Sequence, residues 1–367
     1  MKIKYLFLAL VSLMLLSSCE MMKEDVDDTY CGLFVCFKYD YNLQRADMFK
    51  DHVGGVTLYV FDSDGRFVRT YEDNNVPQMG TLLYDGSYQY CMKINDLPKG
   101  SYRFVALAGQ KSYAAQLASG GAKYRRSDLS DGAANESLTV TLDREKSVTA
   151  PYDVTNGISV CPVDNAAPLD TLWHGMTGTE PIVVEPYGYN TTTISMTRDT
   201  KMLTIGLHNL DIERTNISAD EFEVFIIDNN GKLAYNNELL ADDYLLYKPF
   251  HSWDTQSLDG YGTVTDRTAH YSLTFNRLIW HDLAEKNAVL FIYNKATGKQ
   301  VAAINLTDFL AQGRNAYDQY AYSRQEYLDR SYDYYMDFFI KNDVWQYADV
   351  RINVLSWAQR IQNVKLK

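Results

Sequence analysis

Apolar and polar positions alternate with period two along much of this chain. Leu33, Val35, Phe37 and Tyr39 fall on one face of an extended segment, as do Val56, Leu58 and Val60 in the next. The second run breaks at Asp62-Ser63-Asp64-Gly65 and resumes at Arg66-Phe67-Val68, which predicts a hairpin. Tyr102 to Leu107 follows the turn signal Leu97-Pro98-Lys99-Gly100, and Leu138, Val140 and Leu142 alternate again. The second half repeats the style. Thr192 to Thr197 and Lys201 to Leu207 flank Arg198-Asp199-Thr200, which predicts another hairpin. Glu221 to Ile227 runs into Asp228-Asn229-Asn230-Gly231, a strong turn signal. Tyr271 to Phe275 forms a strand, Ala288 to Tyr293 and Val301 to Ile304 a third hairpin, and Val350, Ile352 and Val354 a last strand. Helical spacing is rare. Leu328, Tyr332, Tyr335 and Phe339 predict an amphipathic helix over Gln325 to Lys341, and Thr307 to Gln312 a shorter one.

Many short strands with turns between them predict a mainly β protein of β-sandwich type. The length accommodates two domains. Two prolines near Pro181 to Pro186 interrupt the strand pattern, so the division falls into residues 31–185 and 186–367, each a β-sandwich.

The N-terminus is a different kind of segment. Lys2 and Lys4 precede an apolar run from Tyr5 to Leu16, shorter than the roughly 20 residues a membrane-spanning helix needs. It ends in Leu16-Ser17-Ser18-Cys19. A charged start, a short apolar core and small residues before a cysteine describe a lipoprotein signal over residues 1–18, cut before Cys19. The thiol of Cys19 is the expected lipidation site, since only a thiol can take the diacylglycerol. Residues 19–30 form an acidic tether with Glu20, Glu24, Asp25, Asp27 and Asp28. The tether resembles those that carry lipoproteins of the Bacteroidetes to the outer face of the outer membrane.

Charge narrows the partners. The formal charge is −12, and loss of Lys2 and Lys4 with the signal makes it −14. Such a chain is not expected to bind nucleic acid or anionic lipid head groups. Cys31, Cys36, Cys91 and Cys161 remain after the anchor. Export permits disulfides, and four cysteines allow three pairings.

Candidate chemistry is sparse, and no catalytic, cofactor or metal residue is expected. Asp62-Ser63-Asp64-Gly65 opens like a calcium loop, but Phe67 and Asp73 stand where Gly and Glu are required, so a polar turn is expected. His174, His251, His270 and His281 are isolated, without metal-like spacing. Asp254 and Asp282 lie near His251 and His281, yet nothing marks a nucleophile. Arg125-Arg126 reads as a surface pair in a polar loop. The aromatic segment Tyr317 to Phe339 fits core packing better than sugar stacking.

Several motifs occur in an order that resembles the fimbrillin-associated anchor lipoproteins of Bacteroidales fimbriae. They are the alternating Cys31 to Tyr39; Val53-Gly54-Gly55 leading to Asp62 and Gly65; Leu97-Pro98-Lys99-Gly100; Leu172-Trp173-His174-Gly175; Gln325-Glu326-Tyr327-Leu328-Asp329-Arg330; and Val350 to Trp357. The resemblance implies two transthyretin-like β-sandwiches and no catalytic residues. It further implies a subunit held in the outer membrane by the lipid on Cys19, exposed at the surface, anchoring or capping a fimbrium, with fimbrillin stalk subunits as partners joined by strand exchange. The alternative is a surface lipoprotein that binds glycans or nutrients on an exposed aromatic platform. On the fimbrial reading, the strand at Cys31 to Tyr39 is expected to stay in its own sheet. The C-terminal segment Asp349 to Lys367 then becomes either the junction, through Ile361, Val364 and Leu366, or an internal strand with a frayed tail.

Overall fold

The computed structural model describes residues 30–74, 81–82, 88–185, 189–210, 217–258, 260–262, 264–342, 344–354 and 357–361. Cys19, the signal, the tether apart from its last residue, Tyr30, and the tail residues Val364 and Leu366 lie outside them. The chain is mainly β and folds into two sandwich lobes. Helices among the described residues are short: Phe49–His52, Tyr113–Ala118, Leu306–Ala311 and Arg324–Arg330.

The first lobe is one nine-stranded sheet rolled around an apolar interior of Leu33, Val35, Phe37, Leu58, Val60, Phe104 and Trp173. Strand Tyr30–Lys38 carries the predicted alternation, and Leu33, Val35 and Phe37 are fully buried. The Gly55–Asp62 and Phe67–Asp73 strands form the predicted hairpin. Side chains tie the two ends of the rolled sheet: Tyr71 and Arg69 reach Asp96 at 2.7 and 2.6 Å, and Tyr90 donates to Asp73 at 2.5 Å.

The second lobe stacks two six-stranded sheets around Leu203, Ile205, Leu207, Ile226, Leu290 and Phe338. One sheet runs from Gln300–Asn305 through Val289–Asn294, Phe222–Asp228, Leu245–Tyr247 and Ser159–Pro162 to Val148–Thr149. The other runs from His251–Leu258 through Val264–Phe275, Lys201–Asn209, Asp333–Lys341 and Val344–Val354 to Trp357–Ile361.

Three expectations are corrected. The helix predicted over 325–341 stops at Arg330, and Asp333–Lys341 is a strand. Tyr334, Met336, Phe338 and Ile340 alternate inward there, and Lys201–Asn209 offers parallel pairing along the whole segment. The supposed hairpin around Arg198-Asp199-Thr200 is instead the crossing between lobes. Tyr189–Arg198 pairs in parallel with Tyr30–Lys38, while Lys201–Asn209 belongs to the second lobe. The division near residue 185 therefore does not follow the sheets, since backbone pairing places 189–198 in the first lobe and 148–162 in the second.

Candidate assembly interface

The first strand is locked inside its own sheet. Tyr30–Lys38 lies between Tyr189–Arg198 on one side and Tyr88–Pro98 on the other, so both backbone edges are paired. Cys36 and Cys91 are direct cross-strand partners joined by a disulfide, which settles one pairing; Cys161 is buried and free. On the opposite, inward face of the sheet Phe37, Phe49 and Tyr90 pack together with ring centroids 5.3 to 5.7 Å apart. Among the described residues this strand fills the place between its two neighbours, with neither of its own edges left open.

The Leu172-Trp173-His174-Gly175 motif stands at the meeting of the lobes. A Cβ on Gly175 would meet Ile194, Met196 and the Ser195 carbonyl at 2.6 to 2.9 Å, so the close approach of the neighbouring strand requires glycine. His174 Nε2–H donates to the Tyr235 carbonyl at 2.5 Å, and burial pulls its pKa down to about 4. Beside it lies a buried polar knot at the crossing. Lys201 donates to the carbonyls of Asp329 and Ser331 at 3.1 and 2.8 Å, and Arg277 grips both oxygens of Asp329 at 2.7 Å. Asn237 donates to Asp199 at 2.8 Å. Burial pushes the Asp199 pKa up and the Lys201 pKa down; Arg277, the Asn237 hydrogen bond and Lys201 favour the Asp199 carboxylate, while Asp329 and Asp199 favour the Lys201 ammonium. Around the knot, Arg198 lies 4.2 Å from the Tyr332 ring centre, and Arg45 donates to the Tyr322 hydroxyl at 2.9 Å.

The remaining sequence candidates are spent on local structure. The Asp62 carboxylate accepts from the Asp64 and Arg66 amides, as a polar turn does. Arg125 and Arg126 sit in a short strand, not a loop; Arg125 pairs with Asp143 and Arg126 covers the Tyr113 ring at 4.0 Å. Asp254 accepts from the Ser218 hydroxyl and the Ala219 amide. The His281 amide donates to Asn287. Tyr317, Tyr322, Tyr327, Tyr334 and Phe338 are core residues, as expected of the aromatic segment.

A constellation missed from sequence lies on the outer face of the second lobe. His208 Nδ1 is 3.0 Å from Asp266 and Nε2 is 3.1 Å from Asp337. Burial lowers the His208 pKa, but hydrogen bonds to Asp337 and Asp266 outweigh it and hold the pKa above the ordinary value. Its partners are 58 and 129 residues away in sequence, so no local motif announces them. Thr268 Oγ1, 3.1 Å from His208 Nδ1, completes a Thr-His-Asp order, yet Thr268 is only 5 % exposed. On the same face Trp253 stacks on His251 and on His270, each at 4.9 Å, so these rings spend faces on one another. Tyr320 lies under Arg45, 3.9 Å from its ring centre. Neither arrangement is an open sugar platform. Among the described residues no group of three or more His, Cys, Asp or Glu is set to hold a metal ion.

The described part of the C-terminal segment is paired in the sheet. Val344–Val354 pairs with Asp333–Lys341, and Trp357–Ile361 folds back on it as the sheet's edge. Ile361 is therefore the end of a paired strand, opposite Val350.

These features define a two-lobed β-sandwich chain whose first strand is paired on both sides. The chain belongs to the family of fimbrillin-A associated anchor proteins Mfa1 and Mfa2, whose family model matches residues 26–363. A candidate polysaccharide-binding protein of Bacteroides thetaiotaomicron is 29 % identical, with TM-score 0.65 over 90 % of this chain and 98 % of that one. A candidate adhesin of the same organism is 25 % identical, with TM-score 0.69 over 91 % and 99 %. The fimbrial anchor protein Mfa2 of Porphyromonas gingivalis shares the fold at 14 % identity, with TM-score 0.53 over 90 % and 98 %. Among curated protein sequences none matches the chain. Family membership assigns a fimbrial accessory role, association with fimbrillin, and a place at the cell surface or envelope. No helix among the described residues is long and apolar enough to cross a membrane.

Proposed function

We propose that this chain is a lipoprotein of the outer membrane, held by acyl chains on Cys19, that anchors the base of a fimbrium and joins fimbrillin by strand pairing. Within a family of fimbrial anchors, the carrying observation is the first strand, paired on both sides and stapled by Cys36–Cys91. A subunit whose groove is filled by its own covalently held strand ends a fibre and does not extend it. The strand starts only about a dozen residues after Cys19, so the lipid lies close upstream of it. One acyl chain holds a protein at a membrane only marginally, whereas a lipoprotein cysteine carries several. We assign the chain no catalytic role.

The test is Cys19→Ser with fractionation of cells and medium. The variant is expected to be uncut or released, with fimbriae shed into the medium. A Cys19→Ser protein of mature size that stays with the membranes and holds its fimbriae overturns the reading.

A further inference from the structure

The geometry points to the hairpin arm around His251–Leu258 as the edge on which an extended segment of fimbrillin docks. The inference rests on the anchor reading and names the surface that reading requires. With the first lobe's groove filled, an incoming strand must add to an open edge, because only there are backbone donors and acceptors unspent. The edges are unequal. Phe67–Asp73 carries Arg69, Glu72 and Asp73 and is tied to Asp96 across the roll. Gln300–Asn305 runs directly into the buried helix Leu306–Ala311. Trp357–Ile361 has five residues, and two further edges have two each.

His251–Leu258 is different. It has eight residues, the longest edge among the described residues, and all but Trp253 are exposed. It lacks the usual protection of an edge: there is no Lys, Arg or Pro, and its one charge, Asp254, is bound by Ser218 and Ala219. The arm also outruns its sheet. Lys201–Asn209 pairs with the neighbouring strand only as far as Thr268, so Val264 to Arg267 pair with His251–Leu258 alone among the described residues. At the tip Leu258, Tyr261 and Val264 are 55, 97 and 37 % exposed, an apolar group at the end of an otherwise polar ribbon. A two-stranded ribbon is marginal in water, and a third strand would complete it. A second copy of this chain is a poor occupant, since each, without Lys2 and Lys4 of the signal, brings a formal charge of −14 to the contact.

The experiment uses the full lipidated chain in detergent, purified fimbrillin from the same cells, surface plasmon resonance for affinity and light scattering for mass. Two variants are compared with the parent: Leu258→Asp with Tyr261→Asp at the tip, and Thr255→Pro in the edge. Each is expected to weaken fimbrillin binding about tenfold or more with an unchanged far-UV spectrum. If Thr255→Pro unfolds the arm, the tip variant decides alone. Parent-like binding by the folded variants, within about twofold, overturns the arm and leaves the anchor reading standing. A parent dimer that the variants dissolve also overturns it, because the occupant is then a second copy. A parent that binds no fimbrillin at all overturns both readings.

Discussion

His174 shows how a single residue ties the lobes and what pH does to that tie. Its ring is 5 % exposed and donates to Tyr235 across the junction. Desolvation lowers its pKa from 6.5 to about 4. Below about pH 6.5 the unfolded chain binds a proton that the folded chain refuses. Stability from this residue is therefore whole above that pH and is lost as pH falls toward 4, by roughly 3 kcal/mol. His208 works in the opposite sense. Its folded pKa is raised, so its contribution is present below about pH 6.5 and fades as pH rises through the folded value. His174→Gln keeps a neutral donor of similar size and is expected to flatten the acid limb of a Tm-against-pH curve between pH 6.5 and 4. An unchanged acid limb would mean that other groups govern acid unfolding. Sequence reading gave His174 no metal or catalytic role, because no ligand spacing surrounds it. It missed the junction itself, since Tyr235 is 61 residues away.

At the scale of elements, the strand Tyr30–Lys38 was legible because one face is fully buried, which imposes alternation. Asp333–Lys341 was not. Its aromatics sit on both faces, so Tyr332, Tyr335 and Phe339 fit a helix while Tyr334, Met336, Phe338 and Ile340 fit a strand; the parallel partner Lys201–Asn209 decides between them. A polar turn signal such as Arg198-Asp199-Thr200 likewise does not tell a hairpin from a crossing between lobes. The pairing of Cys36 with Cys91 was open in the sequence and follows from register alone. Its removal is expected to matter. The two cysteines are 55 residues apart, and releasing a loop of that size costs about 4 kcal/mol in the chain-entropy account. Cys36→Ala with Cys91→Ala should lower the denaturation midpoint and speed amide exchange across residues 30–38, while the strand stays paired on both sides. Equal midpoints for parent and variant would show that the bond contributes nothing to holding the strand.

Over the whole molecule, on the anchor reading proposed above, a load entering at the lipid passes from the first strand through both lobes to the fibre. The lobes are well joined for this: the chain crosses between them repeatedly, and the Arg198–Tyr332 and Arg45–Tyr322 contacts bridge them. The two-lobed plan was legible from the number of strands, but the interlacing was not, because which sheet a strand joins is a long-range outcome. The same holds for the exit point. The alternation of Val350, Ile352 and Val354 correctly marked a strand, and the residues after it read equally as donor or frayed end. Pairing of Trp357–Ile361 with Val344–Val354 changes that balance, since a donor would first have to peel off five residues of its own sheet. A stop after Ile361 removes only residues 362–367 and leaves every described strand in place. This shortened protein is expected to fold, to carry its lipid and to retain fimbriae of normal length, because the load leaves through the arm at His251–Leu258. Fimbriae appearing in the medium from cells making a stable, lipidated, shortened protein would place the junction in the last residues and take it away from the arm.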